Sequence, residues 1–499
     1  MMRGTILILS VSMLAVGCNY KKETDIPPPV EVPGAFTEGS EEPPPTDAET
    51  DALPQGKAKP EMVRDVRWWR QMGDPTLTAL IEEALRRNQG VRAGWARVQQ
   101  ARYIAKQVRA ARMPQIGAVG EFRAGQNITP FAETTQLDAV GSLPVSYEVD
   151  LFARRAREHQ GAKLDAEAAR LDQAALAILI SAEVAEAWFD AINSRIEVAV
   201  VQEQLDTDLR FLELVELRYR EGLNSAVDVH QQRQRVASQR ALLAMADAQT
   251  DLTDQRLSIL LGEAPGREFP VDGKTLPEIG PTPVVDVPAS LLDARPDIRA
   301  FQTRVEAEDR RVAAAVGARL PQILLVFDPS YKWQRSKLTS TGAFGGTAPG
   351  ETGPAITVKG LQWNAGATFN VPLFDGMAGV SQIRAQRAVV DQLLEQYAEN
   401  VLTALFEVES SLVLERQERM RIQFLEEEFR LANVTLEATR DRYRAGLSDF
   451  LPVLTALATR QISELQLVAS RRKLVSYRVQ LYRALGGAWP KEFGEPEDD

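Results

Sequence analysis

The chain has 499 residues, 44% of them hydrophobic, 25% charged and 7% aromatic. That composition folds rather than staying disordered, and it leaves room for more than one domain. The formal net charge of -11, with no clustered basic stripe to neutralise phosphates, argues against a nucleic-acid partner, and the single cysteine excludes an intrachain disulfide, a cysteine zinc site and a CxxC redox centre.

Residues 1–17 have the plan of a secretory signal: Met-Met-Arg, an apolar core from Ile6 to Val16, then Gly17. The core is too short to cross a bilayer as a helix. Leu14-Ala15-Val16-Gly17-Cys18 resembles a bacterial lipobox, with Ala15 where leucine is commoner. The resemblance implies that Cys18 carries a covalent lipid, a diacylglycerol plus an N-acyl chain, and becomes the mature N-terminus. Asn19, in place of the aspartate that retains lipoproteins at the inner membrane, implies transfer to the outer membrane. An ordinary signal peptide with an incidental cysteine is the alternative.

Residues 18–62 are rich in proline and acid, with nine acidic and no basic side chains between Glu23 and Asp51. Such a segment buries too little apolar surface to offset its ordering entropy, so it is expected to be an extended, solvated tether. Beyond the signal, no stretch offers about 18 uninterrupted apolar residues. Any spanning structure in the mature chain is therefore expected to be a β-barrel, the other way to satisfy every backbone polar group in lipid.

The remainder is duplicated, the first repeat over residues 63–292 and the second over 293–489, before an acidic tail at 490–499. Val91–Ile116 aligns without gaps on Ile298–Ile323 with nine identities, among them Arg97 with Arg304 and Pro114 with Pro321. Arg218-Tyr219-Arg220-Glu221-Gly222-Leu223 corresponds to Arg442-Tyr443-Arg444-Ala445-Gly446-Leu447, and Leu261-Gly262 to Leu485-Gly486. Each half reads helix, two strands, long helix, Gly-Leu break, second long helix.

In the first half, helices are expected at about 75–112, 153–221 and 223–262, with strands at about 115–124 and 137–149. Asp74-Pro75 supplies an N-cap acceptor and a proline for the first helical position. In the second half, helices are expected at about 296–319, 375–445 and 447–486, with strands at about 322–333 and 361–371. The connections Gly125–Gln136 and Gln334–Lys359, rich in Gly, Thr and Ser, are expected to be surface loops.

Along the helix after Phe152, Leu171, Ala175, Ile178, Ala182, Ala185, Phe189, Ile192, Ile196 and Ala199 alternate spacings of four and three, a left-handed coiled-coil pattern. The segment Asp375–Tyr443 would extend on the order of 100 Å at ~1.5 Å per residue, which a compact domain does not need. In the last strand Trp363, Ala365, Ala367 and Phe369 share one face, and Asn364, Gly366, Thr368 and Asn370 the other. Four strands cannot close a barrel, since small barrels begin at about eight, so strands that cross lipid must be pooled from several chains. A small soluble sheet is the alternative.

Trp68-Trp69 through Asp74-Pro75, Leu77–Asn88, Tyr147–Phe152, Leu291–Arg299, Val371–Gly376 and both Arg-Tyr-Arg-x-Gly-Leu turns occur in an order that resembles the TolC-like outer-membrane factors. Within them the chain is similar to the lipoprotein NodT branch of tripartite, RND-type efflux systems. The resemblance implies a mainly α fold with a small β part: a homotrimer whose long antiparallel coiled-coil helices form a periplasmic α-barrel. Four strands per protomer would enter a shared twelve-stranded barrel in outer-membrane lipid.

The resemblance also implies partners, a periplasmic adaptor protein and an inner-membrane transporter. The adaptor would contact the tip turns at Arg218, Gly222, Leu223, Arg442, Gly446 and Leu447. Asp228 and Asp449 match acidic positions that ring the closed aperture. Many relatives carry a further aspartate about two turns past the second glycine, and here that position is Thr455, with Pro452 just before it.

Chemistry is sparse. His159 and His230 stand on different long helices without ligand spacing, and Gly273-Lys274-Thr275 fails as a phosphate loop because Glu268 replaces its first glycine. No cofactor beyond the lipid at Cys18 and no catalytic residue is expected. A passive export conduit is thus the leading expectation, and a periplasmic lipoprotein scaffold that bridges partners without a pore is the alternative.

Overall fold

The computed structural model describes residues 30, 32–33, 36, 67–129, 132–271, 275–283, 288–340, 350 and 352–486. Asp74 starts the first long stretch of helix. Its Oδ1 accepts the Thr76 and Leu77 amides at 2.8 and 3.0 Å, and Pro75 takes the first helical position, where a missing N–H leaves nothing unpaired.

The single helix expected over about 75–112 is in fact two, α1 (Pro75–Arg87) and α2 (Gln89–Ala110). Asn88 divides them. Its Oδ1 accepts from the Gly90 and Val91 amides at 2.8 and 3.2 Å, capping α2, while its Nδ2 donates to the Leu260 carbonyl at 2.8 Å. A side chain that caps a new helix competes with the backbone ladder of the old one.

The sheet contains β1 (Gln115–Ile116), β2 (Val119–Ile128), β3 (Ala132–Ser142), β4 (Val145–Val149), β5 (Gln322–Ser340) and β6 (Ile356–Asn370), all antiparallel. Ile116 lies opposite Val145 and Val119 opposite Ser142 in one unbroken register. β3 and β4 likewise share one register on β5. The chain therefore lays down four long strands, two of them interrupted at Gly117-Ala118 and Leu143-Pro144, with β1/β2 at one edge and β6 at the other.

The strands run further than their sequence suggests. Gly125 pairs with Gln136, and the ladder continues to Ile128 opposite Glu133; Gln334 to Ser336 pairs with Val358 to Ile356. The expected loop Gly125–Gln136 is thus corrected to mostly strand, and Gln334–Lys359 is strand at its two ends, 334–340 and 356–359. Their Thr, Gln and Ser side chains read as loop because composition alone does not reveal a ladder partner.

The second half adds α5 (Pro288–Ala294) and α6 (Pro296–Gly317), and the helical hairpins are α3 (Arg154–Arg220) with α4 (Ala226–Leu260), and α7 (Ala378–Arg444) with α8 (Phe450–Ala484). α3 and α7 each have 67 residues, α4 and α8 each 35. Their starts differ by the same offset, 378 − 154 = 224 and 450 − 226 = 224. At ~1.5 Å per residue, each long helix extends on the order of 100 Å.

The main core lies where α1 and α2 cross α3: Trp69, Leu77, Ile81, Leu85, Val91 and Trp95 pack with Val184, Trp188 and Phe189 of α3, Leu257 of α4 and Val475 and Val479 of α8. Asp74 adds to it, since its Oδ2 accepts Trp188 Nε1 at 2.7 Å. The coiled-coil seam is wider than its heptads, because α3 here is covered by several helices and buries Ala177, Val184 and Ala187 as well. At its far end Ala199 is exposed, so the seam does not continue there.

The tether expected to be solvated over 18–62 is held to the helices at its described points. Phe36 is buried with Leu291, Val408, Leu412 and Leu481, and Val30 and Val32 pack against the cluster of Ile298, Tyr397 and Val401. Burying one phenylalanine contributes about 1.5–3 kcal/mol.

Candidate functional site: an open-edged sheet and a helical tip

Paired residues in an antiparallel ladder point to the same face, so the register sorts the sheet into two surfaces. Phe122 lies opposite Ala139, and Ile116 opposite Val145; Val145, Tyr147 and Val149 lie opposite Phe327, Leu325 and Ile323; these lie opposite Ala365, Ala367 and Phe369. One apolar face thus crosses all four strands, and its large side chains are open, with Trp363 71% exposed. The opposite face carries Ser146 and Glu148, Asp328 and Ser330, Asn364, Thr368 and Asn370, with Leu324 and Val326 as its apolar members on β5. Among the described residues no helix is long and apolar enough to cross a membrane.

β2 pairs with β3 and β6 with β5, and each leaves its other edge without a strand partner among the described residues. An unpaired edge bordering an apolar face is a template for pairing with another chain.

At the opposite end of the long helices both Gly-Leu breaks form Schellman motifs. Leu223 N–H donates to the Arg218 carbonyl at 2.8 Å and Gly222 N–H to Tyr219 at 3.0 Å; Leu447 and Gly446 repeat this with Arg442 and Tyr443 at 2.9 and 3.0 Å. Gly222 and Gly446 adopt φ of 73° and 72°, the left-handed region where a side chain is strained. Leu223 and Leu447 are exposed at the apex.

The two turns differ in their side chains. Arg218 stacks over the Tyr443 ring at 4.4 Å, donates from Nε to Asn224 Oδ1 at 3.1 Å and from Nη1 to the Tyr443 carbonyl at 3.3 Å. Tyr443 donates its hydroxyl to the same Asn224 oxygen at 2.9 Å and packs with Val215, Val229, Phe450 and Val453. Burial pushes the Tyr443 hydroxyl's pKa up, against the Asn224 bond and the Arg218 charge, which pull it down. Arg442 and Tyr219, the repeat counterparts of Arg218 and Tyr443, are exposed.

Asp228 sits in a capping box: its Oδ2 accepts the Ser225 amide at 2.9 Å and its amide donates to Ser225 Oγ at 3.2 Å. Asp449 is the N-cap residue of α8, exposed, with no capping bond from its side chain. Asp228 and Asp449 thus both stand at the starts of the return helices but not at equivalent places: Asp228 is the third residue of α4, and Asp449 is the N-cap of α8, matching Ser225 in the repeat. Thr455 donates to the Leu451 carbonyl at 3.0 Å, and with Pro452, Leu431, Ala432 and Ala456 it lines an apolar groove between α7 and α8.

Higher on the hairpin, the buried Asp208 accepts from Arg235 Nε at 2.9 Å, Gln232 Nε2 at 3.1 Å and Gln461 Nε2 at 3.2 Å, joining α3, α4 and α8 through one carboxylate. Sequence reading passed over this cluster and over Asn224, Tyr219 and Tyr443 as a set. The only available signal was the turn repeat, which shows likeness and hides the differing environments. His159 lies near the start of α3 and His230 near the start of α4, at opposite ends of the hairpin. Cys18, most of the tether, Gly273 and Lys274, and the tail 490–499 lie outside the described residues.

A family model described as outer membrane efflux protein matches residues 80–263 and 287–487. The pyoverdine export outer membrane protein OpmQ of Pseudomonas aeruginosa is 30% identical over 452 residues, covering 86% of this chain and 89% of that one. Nodulation protein T of Rhizobium leguminosarum bv. trifolii is 24% identical over 488 residues, with 96% of each chain covered. Among solved structures, the outer-membrane channel OprN matches with a TM-score of 0.76 at 24% identity, over 93% of this chain and 99% of that one.

Proposed function

The chain belongs to the outer membrane efflux protein family, and on that premise we propose that it acts as one of three identical subunits of a passive export conduit. It is an outer-membrane component of an efflux system, mainly helical with a smaller sheet. The observation that carries the subunit reading is the sheet with two open edges and one continuous apolar face. Four strands fall short of the roughly eight that the smallest barrels need, and three copies would bring about twelve. The apolar face would then meet lipid and the polar face a water-filled lumen.

The long helices carry the conduit away from the sheet, and their exposed Leu223 and Leu447 offer apolar contacts for a periplasmic adaptor at the tip. Arg218, Gly222, Arg442 and Gly446 shape that surface, and an inner-membrane transporter of RND type would supply the energy. Asp228 and Asp449 are the aperture candidates, and Cys18 the lipid anchor. The cargo is chosen by the transporter; pyoverdine export is said of OpmQ.

No reaction is assigned to the chain, whose role is to hold open a path rather than to transform what passes. The test is the mass of the detergent-extracted particle together with its conductance in planar bilayers. Three chains per particle and discrete current steps support the conduit; single chains without conductance overturn it and favour a scaffold.

A further inference from the structure

The two hairpins are built alike, but only one set of their reciprocal contacts is made inside the chain. α3 packs on α8, while its repeat counterpart, α7 on α4, has no comparable contact within the protomer. The same asymmetry reappears in side chains. Tyr443 is 2% exposed beneath Arg218, whereas Tyr219 is 48% exposed and Arg442 projects into solvent. Neither Tyr219 nor Arg442 has a side-chain hydrogen bond, ion pair or ring contact with the described residues.

The geometry points to an inter-copy contact in which Arg442 of one copy stacks on Tyr219 of the next, repeating between chains the Arg218–Tyr443 stack within one. This deepens the shared-barrel reading and rests on it. The occupant is a second copy rather than a foreign protein for two reasons. The missing α7-on-α4 contact has the design of one that the fold already makes, so the complementary surface is present on the chain itself. The open sheet edges also demand the same order of neighbours, second half of one copy against first half of the next, since β6 is the free edge of the second half and β2 that of the first.

The polar partner has a counterpart too. Within the chain, Asn224 accepts the Tyr443 hydroxyl at 2.9 Å. Its equivalent one repeat later is Ser448, whose Oγ would meet the hydroxyl of the neighbour's tyrosine. A serine is shorter than an asparagine, and Ser448 Oγ already donates to the Asp449 carbonyl at 3.2 Å, so it reaches less far than the Asn224 oxygen that both Arg218 and Tyr443 share. The inter-copy stack therefore lacks the asparagine bridge that ties the intrachain stack together.

The experiment is thiol cross-linking of the full chain in its own membrane, with Tyr219→Cys and Arg442→Cys combined and a bis-maleimide whose reach matches an arginine stacked on a tyrosine. Each single variant serves as control for links through Cys18. Both substitutions fall on exposed positions, so folding is retained. The expected result is covalent dimers and trimers that require both cysteines. Chains that stay uncross-linked in particles of three-chain native mass would overturn the contact and leave the shared barrel standing. Single-chain particles would overturn the barrel reading itself.

Discussion

The guanidinium of Arg218 lies 4.4 Å from the centre of the Tyr443 ring, joining the last turn of the first long helix to the last turn of the second. Because Arg218 and Tyr443 also share the Asn224 oxygen, the stack, the two hydrogen bonds and the Schellman turn beside them hold one another in place. Arg218→Ala is expected to loosen the tip by about 1–2 kcal/mol, the worth of a partly desolvated cation–π contact. Hydrogen exchange should then quicken at the Leu223 and Leu447 amides and stay unchanged around Leu257, in the main core. Unchanged exchange at both turns would mean the stack carries no stability.

The carboxylate of Glu415 is fully buried between α7 and α8, where Arg478 meets it twice, at 2.6 and 2.9 Å, and Arg419 and Thr282 add bonds at 3.0 and 2.9 Å. Burial works to raise its pKa, but the hydrogen bonds and charge of Arg478 outweigh it and hold the group below its usual 4.5. A carboxylate lowered in the folded state stabilises above its unfolded pKa and loses that contribution as pH falls through the folded value. Stability of the helical part is therefore expected to decline below about pH 4.5. Glu415→Gln, which leaves Arg478 buried without its counter-charge, should cost about 3–5 kcal/mol in urea unfolding followed by circular dichroism. A variant as stable as the parent would show that Arg478 is not paid for by this ion pair.

At the return helices, Asp228→Ala and Asp449→Ala are expected to raise the resting conductance of bilayer-inserted protein. Only Asp228 also caps its helix, so its alanine variant should lose about 1 kcal/mol of local stability that Asp449→Ala keeps. Asp228→Asn separates the two roles, since it removes charge while retaining an acceptor oxygen. Unchanged resting conductance in the Asp228/Asp449 double variant would remove both from the aperture.

For the anchor, Cys18→Ser should abolish incorporation of labelled fatty acid while the protein stays in the membrane, because a barrel does not depend on one lipid chain. Loss of the protein to the periplasm would contradict the membrane sheet.

The repeat, the long helices and the strand faces were legible because each is written as periodicity or identity in the chain. Trp363, Ala365, Ala367 and Phe369 alternate with polar residues, and the ladder with Pro329, Phe327, Leu325 and Ile323 bears that face out. Strand ends were less legible, since Thr135, Gln136 and Ser336 take their conformation from partners far along the chain. Asn88 looked like one more polar residue on a helix until the Leu260 carbonyl appeared beside its amide. At the tip, two near-identical hexapeptides gave no hint that one tyrosine is buried and the other open, because that difference is made by which hairpin lies next to which. Phe36 was lost in the composition of its proline-rich surroundings, where a single aromatic side chain finds a pocket between α5, α7 and α8.

Spin labels placed one at a time from Leu361 to Asn370 in the reconstituted full chain test most directly whether these four strands, pooled with those of other copies, wall a water-filled barrel with lipid outside. Labels at 361, 363, 365, 367 and 369 should be reached by oxygen dissolved in lipid, and those at 362, 364, 366, 368 and 370 by a water-soluble nickel complex. Uniform access of the nickel complex along β6, with no period of two, would contradict it.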